Sequence, residues 1–290
     1  IMLIGVVGKP SVGKSTFFKA ATLAEAEIAN YPFTTIKPNH AIGYVRVEDP
    51  AKQFGKTSNP REGYVHGDTR FVPVELLDVA GLVPGAHKGL GRGNQFLDDL
   101  NQADALIHVI DVSGSVNEKG EQCQPGEYDP ANDIKFLEEE LDHWFLRLLT
   151  KGWEQLARQS QQTKKETHKA LAEHMTGLRV NEDLALKVIE DLQLIKKNIT
   201  EWTQADLMKV ASTLRKITKP MIIACNKVDV AGAKEKFEAL KEQFKDYTLI
   251  ATSAESELAL KEATKHELIE YLPGSDNFEL QQEDKLSEKQ

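Results

Sequence analysis

The feature that most constrains the fold is the stretch Gly8–Ser15 (GKPSVGKS), which directly follows the apolar run Ile1–Val7. It matches the pattern G-x-x-x-x-G-K-[ST] at every specified position. Glycines allow a tight loop whose backbone N–H groups point inward, and the helix that follows presents its positive end to phosphate. The pattern predicts a strand, a phosphate loop and a helix, with these candidate nucleotide-binding residues: Gly8, Lys9, Pro10, Ser11, Val12, Gly13, Lys14, Ser15 and Thr16.

Four side-chain and backbone groups are candidates for contacting the phosphates and a metal ion. Lys14 can reach the β- and γ-phosphates, and the Ser15 hydroxyl can ligate Mg²⁺. The motif Asp78–Gly81 (DVAG) follows an apolar run. Asp78 can therefore hold Mg²⁺ through water, and the Gly81 N–H can meet the γ-phosphate.

The loop Tyr31–Thr35 (YPFTT) lies between the first helix and the next strand. Thr34 or Thr35 can complete the Mg²⁺ shell when the γ-phosphate is present and release it afterwards, which is how a switch loop works. We take Thr35 as the candidate catalytic and metal-binding residue. The alternative is a simple turn that happens to contain threonines.

The motif Asn226–Asp229 (NKVD) follows another buried run and predicts a guanine-reading loop. The Asp229 carboxylate can accept hydrogen bonds from N1–H and the N2 amino group of guanine, a donor pattern that adenine lacks. Asn226 can brace the loop and Lys227 can lie along the base. The backbone of Ser253 and Ala254 can donate to O6.

Apolar runs ending in polar motifs predict an α/β fold with a mostly parallel sheet and helices on both faces. Ligands of such sheets sit at the carboxyl ends of the strands, so the motifs should converge there. The predicted strands are residues 1–7, 70–77, 105–110, 220–225 and 247–251.

A helical insertion interrupts this pattern. Residues 136–216 contain no proline, and their apolar residues recur at helical spacing. Asn181 is a candidate N-cap, and Thr203–Asp206 resembles a capping box. We interpret the aromatic side chains as helix-pair core rather than a nucleic-acid stacking platform: Trp144, Phe145, Trp153 and Trp202. The predicted domains are residues 1–135 and 217–274 (sheet domain), 136–216 (insertion) and 275–290 (linker or tail).

Composition narrows the class of protein. The 290 residues are 40% hydrophobic and carry a net charge of −9, which argues against broad charge-driven binding of nucleic acid or membrane. Cys225 lies in an apolar run and Cys123 in a loop region, so a disulfide is not expected. No leader is visible and no apolar stretch approaches the ~18 residues of a membrane span. We expect a cytoplasmic protein.

Taken together, the motifs resemble the Obg family of P-loop GTPases, and specifically its YchF branch of Obg-like ATPases. The resemblance covers residues 2–273. It rests on Gly8–Thr16, Tyr31–Asn39, Asp78–Ala86, Gly89–Leu97 and Asp104–His108, with a helical insertion before the base-reading motif. It implies a G domain with an inserted coiled-coil-like helical domain, Mg²⁺, GTP or GDP, and a ribosomal partner. It normally includes a C-terminal TGS domain, for which this chain has no room, so we expect a part of a longer protein.

Two positions depart from the family pattern. Many YchF proteins have a base-reading motif that ends in Glu and prefer ATP, whereas Asp229 is the guanine-type residue. Asp229 favours guanine and the branch favours adenine, so both nucleotides stay open. Ser11 stands where many Obg-like loops have an asparagine that helps to hold K⁺, so the resemblance does not carry a K⁺ requirement over to this chain.

The sequence lacks the residue that usually orients the attacking water. Small GTPases place a glutamine directly after the D-x-x-G glycine, and this chain has Leu82 there, which can neither donate to nor accept from water. Slow hydrolysis is therefore expected. YchF-like proteins also have a histidine at the position of His108, and we hypothesise that it helps to position water; the alternative is a hydrogen-bonded histidine buried in a central strand. His87 is a second candidate.

The leading functional hypothesis is a regulatory GTPase whose two switch loops respond to the nucleotide. A small-molecule phosphotransferase would share the phosphate loop but has no need of a guanine-reading motif. A nucleotide-stabilised scaffold with negligible turnover stays open because of Leu82.

Overall fold

The computed structural model describes residues 2–22, 39–79 and 93–281. The chain divides into two compact units, each assembled from separate segments. The first unit comprises Ile1–Val79, Ile107–Pro130 and Ile222–Gln290, and the second comprises Ala80–Leu106 and Ala131–Met221.

Seven strands of the described chain form one sheet. They are β1 (Leu3–Val7), β2 (His40–Glu48), β3 (Tyr64–His66), β4 (Thr69–Asp78), β5 (Ala105–Asp111), β6 (Met221–Asn226) and β7 (Thr248–Ala251). The sheet order is β2-β4-β1-β5-β6-β7, and β3 pairs with β4 outside this path. β1 runs parallel to β4 and β6 parallel to β7, whereas β2 and β3 run antiparallel to β4.

The five strands predicted from sequence are confirmed as β1, β4, β5, β6 and β7, with the expected α/β fold. β2 and β3 were not predicted. β2 is mostly half-buried or exposed, and its Val45 and Val47 side chains are exposed. A strand of this kind lacks the continuous apolar run by which the buried strands are identified.

Nine helices lie in the described residues. They are α1 (Lys14–Thr22), α2 (Gly93–Gln102), α3 (Ala131–Thr150), α4 (Trp153–Thr163), α5 (Thr167–His174), α6 (Glu182–Asp191), α7 (Gln204–Thr218), α8 (Ala233–Gln243) and α9 (Ala254–Lys265). In the first unit, Phe17 and Phe18 of α1 cover apolar side chains of the sheet and phosphate loop, so α1 is held directly against the strands. The buried members of this cluster are Val6, Val12, Leu76, Val109 and Ala224.

The second unit contains the helical insertion. Helix α3 begins before residue 136 and α7 ends after residue 216, and these two helices contact each other. Both predicted caps are confirmed: the Asn181 side chain accepts from the Leu184 N–H at 2.8 Å, and Thr203 and Asp206 form a reciprocal capping box. Each cap satisfies backbone N–H groups that have no partner inside the helix.

The four aromatic side chains singled out in the insertion are all buried in the second unit. The rings of Trp153 and Trp202 stack with their centroids 5.4 Å apart, and Trp144 meets Phe145 edge to face at 5.1 Å. Their interpretation as helix core is confirmed.

A buried arginine joins α7 to α3. Arg215 is 1% exposed, and its Nε donates to Asp142 at 2.7 Å while its Nη2 donates to Glu138 at 3.1 Å. The Ser212 hydroxyl also donates to Asp142, at 2.8 Å. Charge and hydrogen bonds are therefore satisfied together, as a buried ionic group requires.

Part of the segment predicted as a tail is ordered. A hairpin pairs β8 (Ile269–Glu270) with β9 (Glu279–Leu280), and the Gln281 N–H donates to the Leu268 carbonyl at 3.0 Å. These backbone hydrogen bonds hold residues 279–281 in place although their polar composition predicts a tail. Residues 282–290 lie outside the described chain. No helix of the described ranges is both long and apolar enough to cross a bilayer.

We expect Arg215→Met to destabilise the protein by about 3 kcal/mol, because Asp142 and Glu138 would lose their buried cation. Lys216→Met is the matched control, since Lys216 also pairs with Glu138 but its side chain is nearly half exposed, and it should cost less than about 1 kcal/mol. Urea unfolding of both variants measures the difference. If both variants lost the same free energy of unfolding, the buried Arg215 pairs would contribute no more than the exposed Lys216 pair.

Candidate functional site

The polar motifs meet where the strands of the first unit end. β1 leads into the phosphate loop, β4 ends at Asp78, β5 at Asp111 and β6 at Asn226. Backbone bonds join neighbouring ends: the Val79 N–H donates to the Val6 carbonyl at 3.1 Å, and the Val112 N–H donates to the Asn226 carbonyl at 3.0 Å. The structure therefore brings the predicted motifs to one edge of the sheet.

Both glycines of the phosphate loop are required by close contacts. A Cβ on Gly8 would lie 2.6 Å from the Val109 carbonyl oxygen of β5. Gly13 has φ +91°, and a Cβ there would lie 2.4 Å from the Asn226 Nδ2. An alanine would clash at either position, and at Gly13 its backbone would also be strained.

Lys14 and Asp78 form an ion pair within the site. The Lys14 ammonium also donates to the Val79 carbonyl at 2.9 Å. Lys14 opens α1, and Ser15 and Thr16 follow in its first turn, with the Ser15 side chain exposed. The predicted phosphate-binding cation and the predicted metal-binding carboxylate thus neutralise each other in this structure.

Asn226 connects three motifs. Its side chain is 3% exposed, and its Nδ2 donates to the Val12 carbonyl of the phosphate loop at 2.9 Å. Its Oδ1 accepts from the Ala254 N–H at 2.9 Å. Both ends of one amide are used, so the phosphate loop, the base-reading loop and the start of α9 are held in register.

Lys227 lies across the phosphate loop. Its ammonium donates to the Ser11 carbonyl at 3.1 Å and to Asp111 Oδ2 at 3.0 Å. Asp229, two residues further on, is exposed and has no hydrogen bond or ion pair with the part of the chain that the structure describes. Its carboxylate is therefore available to a ligand.

Asp111 was not among the predicted site residues. Its carboxylate is buried and accepts bonds from Lys227, from the Ser113 hydroxyl at 2.5 Å and from the Ser115 hydroxyl at 2.8 Å. Burial alone would raise the pKa of Asp111, but these hydrogen bonds outweigh it and lower that pKa. The sequence feature that could have identified Asp111 as a site residue is a carboxylate directly after a predicted strand.

The Ala254 N–H, predicted to contact the base, already donates to Asn226. Ser253 is the N-cap of α9, and its hydroxyl donates to the Ser256 hydroxyl at 2.8 Å. The N–H groups of Glu255 and Ser256 also belong to the first turn of α9, where backbone donors have no partner inside the helix. Since the Ala254 N–H is already bonded, the contact of Ser253 and Ala254 with a base stays a prediction.

His108 lies in the middle of β5 and is 1% exposed. Burial and the nearby Lys9 ammonium lower its pKa to about 3, so the imidazole is neutral at pH 7. It precedes Asp111 by three residues, or about 10 Å of strand. The burial agrees with the structural alternative, but the Nδ1 atom has no hydrogen-bond partner among the described residues, so the hydrogen bond of that alternative is not observed there. The water-positioning role stays a prediction.

The remaining candidates separate into two groups. Val12 is buried, Pro10 and Ser11 are exposed, and the Lys9 ammonium donates to the Val116 carbonyl at 3.0 Å. Thr35, Gly81, Leu82 and His87 lie outside the described residues.

The donor set suits Mg²⁺. Ser15 and Asp78 supply a hydroxyl and a carboxylate, and Mg²⁺ prefers such hard oxygen ligands with several waters retained. In the described residues no cluster of three or more histidine, cysteine, aspartate or glutamate side chains could form a separate all-protein metal site.

Two family models match the chain. Residues 3–144 match the model described as 50S ribosome-binding GTPase. Residues 224–290 match the model described as Obg-like GTPase YGR210-like, G4 motif-containing domain. The second match begins two residues before Asn226, so it includes the base-reading motif.

Individual proteins are similar over much of the chain. An uncharacterized GTP-binding protein of Methanocaldococcus jannaschii is 49% identical over 99% of this chain and 71% of its own length. The crystal structure of a GTP binding protein from Pyrococcus horikoshii OT3 superposes with a TM-score of 0.76 at 39% identity, covering 94% of this chain and 70% of that one. The ribosome-binding ATPase YchF of Bacillus subtilis is 42% identical over 138 residues, which is 47% of this chain and 35% of that protein.

We expect Gly13→Ala to weaken nucleotide binding more than about tenfold, because the added Cβ must displace Asn226. Gly67→Ala is the matched control: Gly67 also has a positive φ, but no atom lies within 4 Å of the position that an added Cβ would take. Titration with a fluorescent guanine nucleotide compares the two variants. If both variants bind like wild type, the contact between Gly13 and Asn226 does not limit nucleotide binding.

Because His108 is buried and neutral, it makes the free energy of unfolding depend on pH. The unfolded histidine takes up a proton as the pH falls through about 6.5, whereas the folded one takes it up only near 3, so stability is lost over that window. At pH 5 the loss should be about 2 kcal/mol relative to pH 7. We expect His108→Leu to remove this part of the pH dependence in urea unfolding, while the exposed control His66→Gln keeps it.

Proposed function

Because the chain belongs to the Obg-like, YchF-type family of GTPases, we propose that it is a Mg²⁺-dependent switch that binds and hydrolyses GTP. We further propose that it acts with the ribosome in the cytoplasm. The observation that carries the proposal is the Asn226 side chain, which holds the phosphate loop and the base-reading loop together.

Asp229 is the residue that would distinguish guanine from adenine. Its carboxylate is exposed beside a loop already held by Asn226 and Lys227. A carboxylate accepts from the N1–H and N2 amino group of guanine, and adenine has no such pair of donors. The guanine base would lie along Lys227, with donors of the first turn of α9 near O6.

Phosphate binding would rearrange the ion pair of the site. Lys14 would leave Asp78 for the β- and γ-phosphates, which frees the Asp78 carboxylate. Ser15, Asp78 and Thr35 would then hold Mg²⁺, which neutralises charge on the phosphate oxygens. The Gly81 N–H would contact the γ-phosphate.

Hydrolysis would be slow without help. Leu82 cannot orient water, so the chain relies on positioning of the phosphates, on His108 if it reaches the switch region, or on a partner. The ribosome is proposed as that partner because one matching family model and the B. subtilis relative carry it in their names. With a net charge of −9, any contact with ribosomal RNA would be local.

A second candidate function is an ATPase. The B. subtilis relative is named an ATPase, and its similarity covers 47% of this chain. Against it stands Asp229, whose carboxylate adenine cannot satisfy in the same way.

The deciding experiment is equilibrium binding of GDP, GTP, ADP and ATP with Mg²⁺. We expect guanine nucleotides to bind more tightly, and Asp229→Asn to weaken them tenfold to a hundredfold, ~1–3 kcal/mol. Asp246→Asn, an exposed carboxylate outside the motifs, is the matched control and should bind like wild type.

Other outcomes identify the alternatives. ATP binding that is equal or tighter, and insensitive to Asp229→Asn, would support the ATPase. Guanine binding without release of phosphate in a single-turnover assay would support the scaffold. Absence of binding by all four nucleotides would overturn the proposal.

A further inference from the structure

An arm of chain lies against the phosphate loop. Strand β5 does not lead directly into α3, because residues 112–130 intervene, all within the first unit. We call these residues the brace. Sequence motifs gave no role to this segment.

The brace has its own internal structure. Val116 and Gln122 form an antiparallel bridge, and the Cys123 N–H donates to the Ser115 carbonyl at 2.9 Å. At its tip the Asn117 Oδ1 accepts from the Lys119 N–H at 2.9 Å and the Glu121 N–H at 3.0 Å. These bonds make the tip a defined turn, so the brace can hold whatever it touches.

Lys9 of the phosphate loop is buried in the brace. Its ammonium donates to the Val116 carbonyl at 3.0 Å and lies 3.7 Å from the centroid of the Tyr128 ring. The side chain is only 7% exposed. A buried ammonium needs such partners, so the first half of the loop is tied to the brace by a charged group.

The tip of the brace makes a second attachment. The Ser11 hydroxyl donates to the Gly120 carbonyl at 2.7 Å. Gly120 has φ +82°, and a Cβ on it would lie 2.8 Å from the Pro10 Cβ. The brace and the phosphate loop are therefore in direct contact at consecutive loop residues.

These contacts explain how the loop keeps a disfavoured backbone. Ser11 has φ +67°, a left-handed conformation that a serine adopts only when its surroundings require it. Its hydroxyl is held by Gly120 and its carbonyl by Lys227. The loop conformation is thus determined before any phosphate binds, and preorganisation lowers the ordering cost of binding.

We propose that the brace controls nucleotide release, with Lys9 and Ser11 as positioning residues that act through it rather than through nucleotide contacts. The inference rests on the proposed nucleotide-binding function of the same site. A braced loop keeps its N–H groups aimed at the phosphates, whereas a released loop can leave them. Loosening the brace should therefore raise the dissociation rate far more than it lowers the association rate.

The test is displacement of a fluorescent GDP by excess unlabelled GDP from the 290-residue chain. We expect dissociation to be about fivefold faster in Ser11→Ala, which loses one hydrogen bond, and at least about tenfold faster in Lys9→Met, which loses a charged one. In a buffer that contains Na⁺ and no K⁺, Ser11→Asn should return the rate to within about twofold of wild type, because asparagine tolerates positive φ and keeps a donor. Gln124→Ala, an exposed and uncharged brace residue, is the control.

Hydrogen–deuterium exchange of the nucleotide-free protein is the second readout. The brace predicts faster exchange in Ser11→Ala and Lys9→Met at residues 8–15, with β1 and β5 unchanged. General destabilisation would instead raise exchange in the strands as well, and it would not be rescued by asparagine.

The outcomes distinguish failure of the proposed function from failure of the brace. Wild type that binds no nucleotide overturns the proposed function and the brace with it. Wild type that binds GDP, with variants that release it at the wild-type rate, overturns the brace and leaves the proposed function intact.

Discussion

The Asn226 side chain is the group through which three motifs contact one another, since it donates to Val12 and accepts from Ala254. Its burial makes both bonds necessary, because an unpaired amide in that position would be costly. It also accounts for Gly13, whose missing Cβ leaves room for the amide. One polar side chain therefore holds together three motifs that are far apart in the sequence.

Buried charged side chains elsewhere in the site are likewise paired with hydrogen-bonding partners or a counter-ion. Asp111 is buried, yet Lys227 and two serine hydroxyls keep its pKa low, so it stays ionised. Lys9 is compensated by a carbonyl and an aromatic ring. Lys9 and Asp111 thus each hold a neighbouring segment of the chain through their hydrogen-bond partners. These contacts within the protein shape the phosphate loop and do not require a ligand.

Sequence patterns predicted the parts of this arrangement that are local. Buried strands appear as apolar runs, and the phosphate loop and the base-reading loop are short contiguous motifs whose residue types follow from their chemistry. The pairing of Asp111 with Lys227 could not be read in this way, because the two residues are far apart in sequence. The brace was missed for the same reason: its contacts depend on where the fold places residues 112–130, and a polar loop carries no period that reports them. Strand β2 was missed because its exposure weakens the apolar signal.

If the proposed function is correct, the ion pair between Lys14 and Asp78 gives the site two exclusive arrangements, of which the structure shows the paired one. While the pair is closed, the lysine is not available to phosphate and the carboxylate is not available to a metal ion. Opening it for only one of them would leave the other group partly buried and without its counter-ion, which is unfavourable. In the proposed function, phosphate and metal ion together would satisfy both groups, so each would favour binding of the other. This proposed coupling would need no movement of the sheet, because it arises from two side chains that exchange their mutual ion pair for separate ligands.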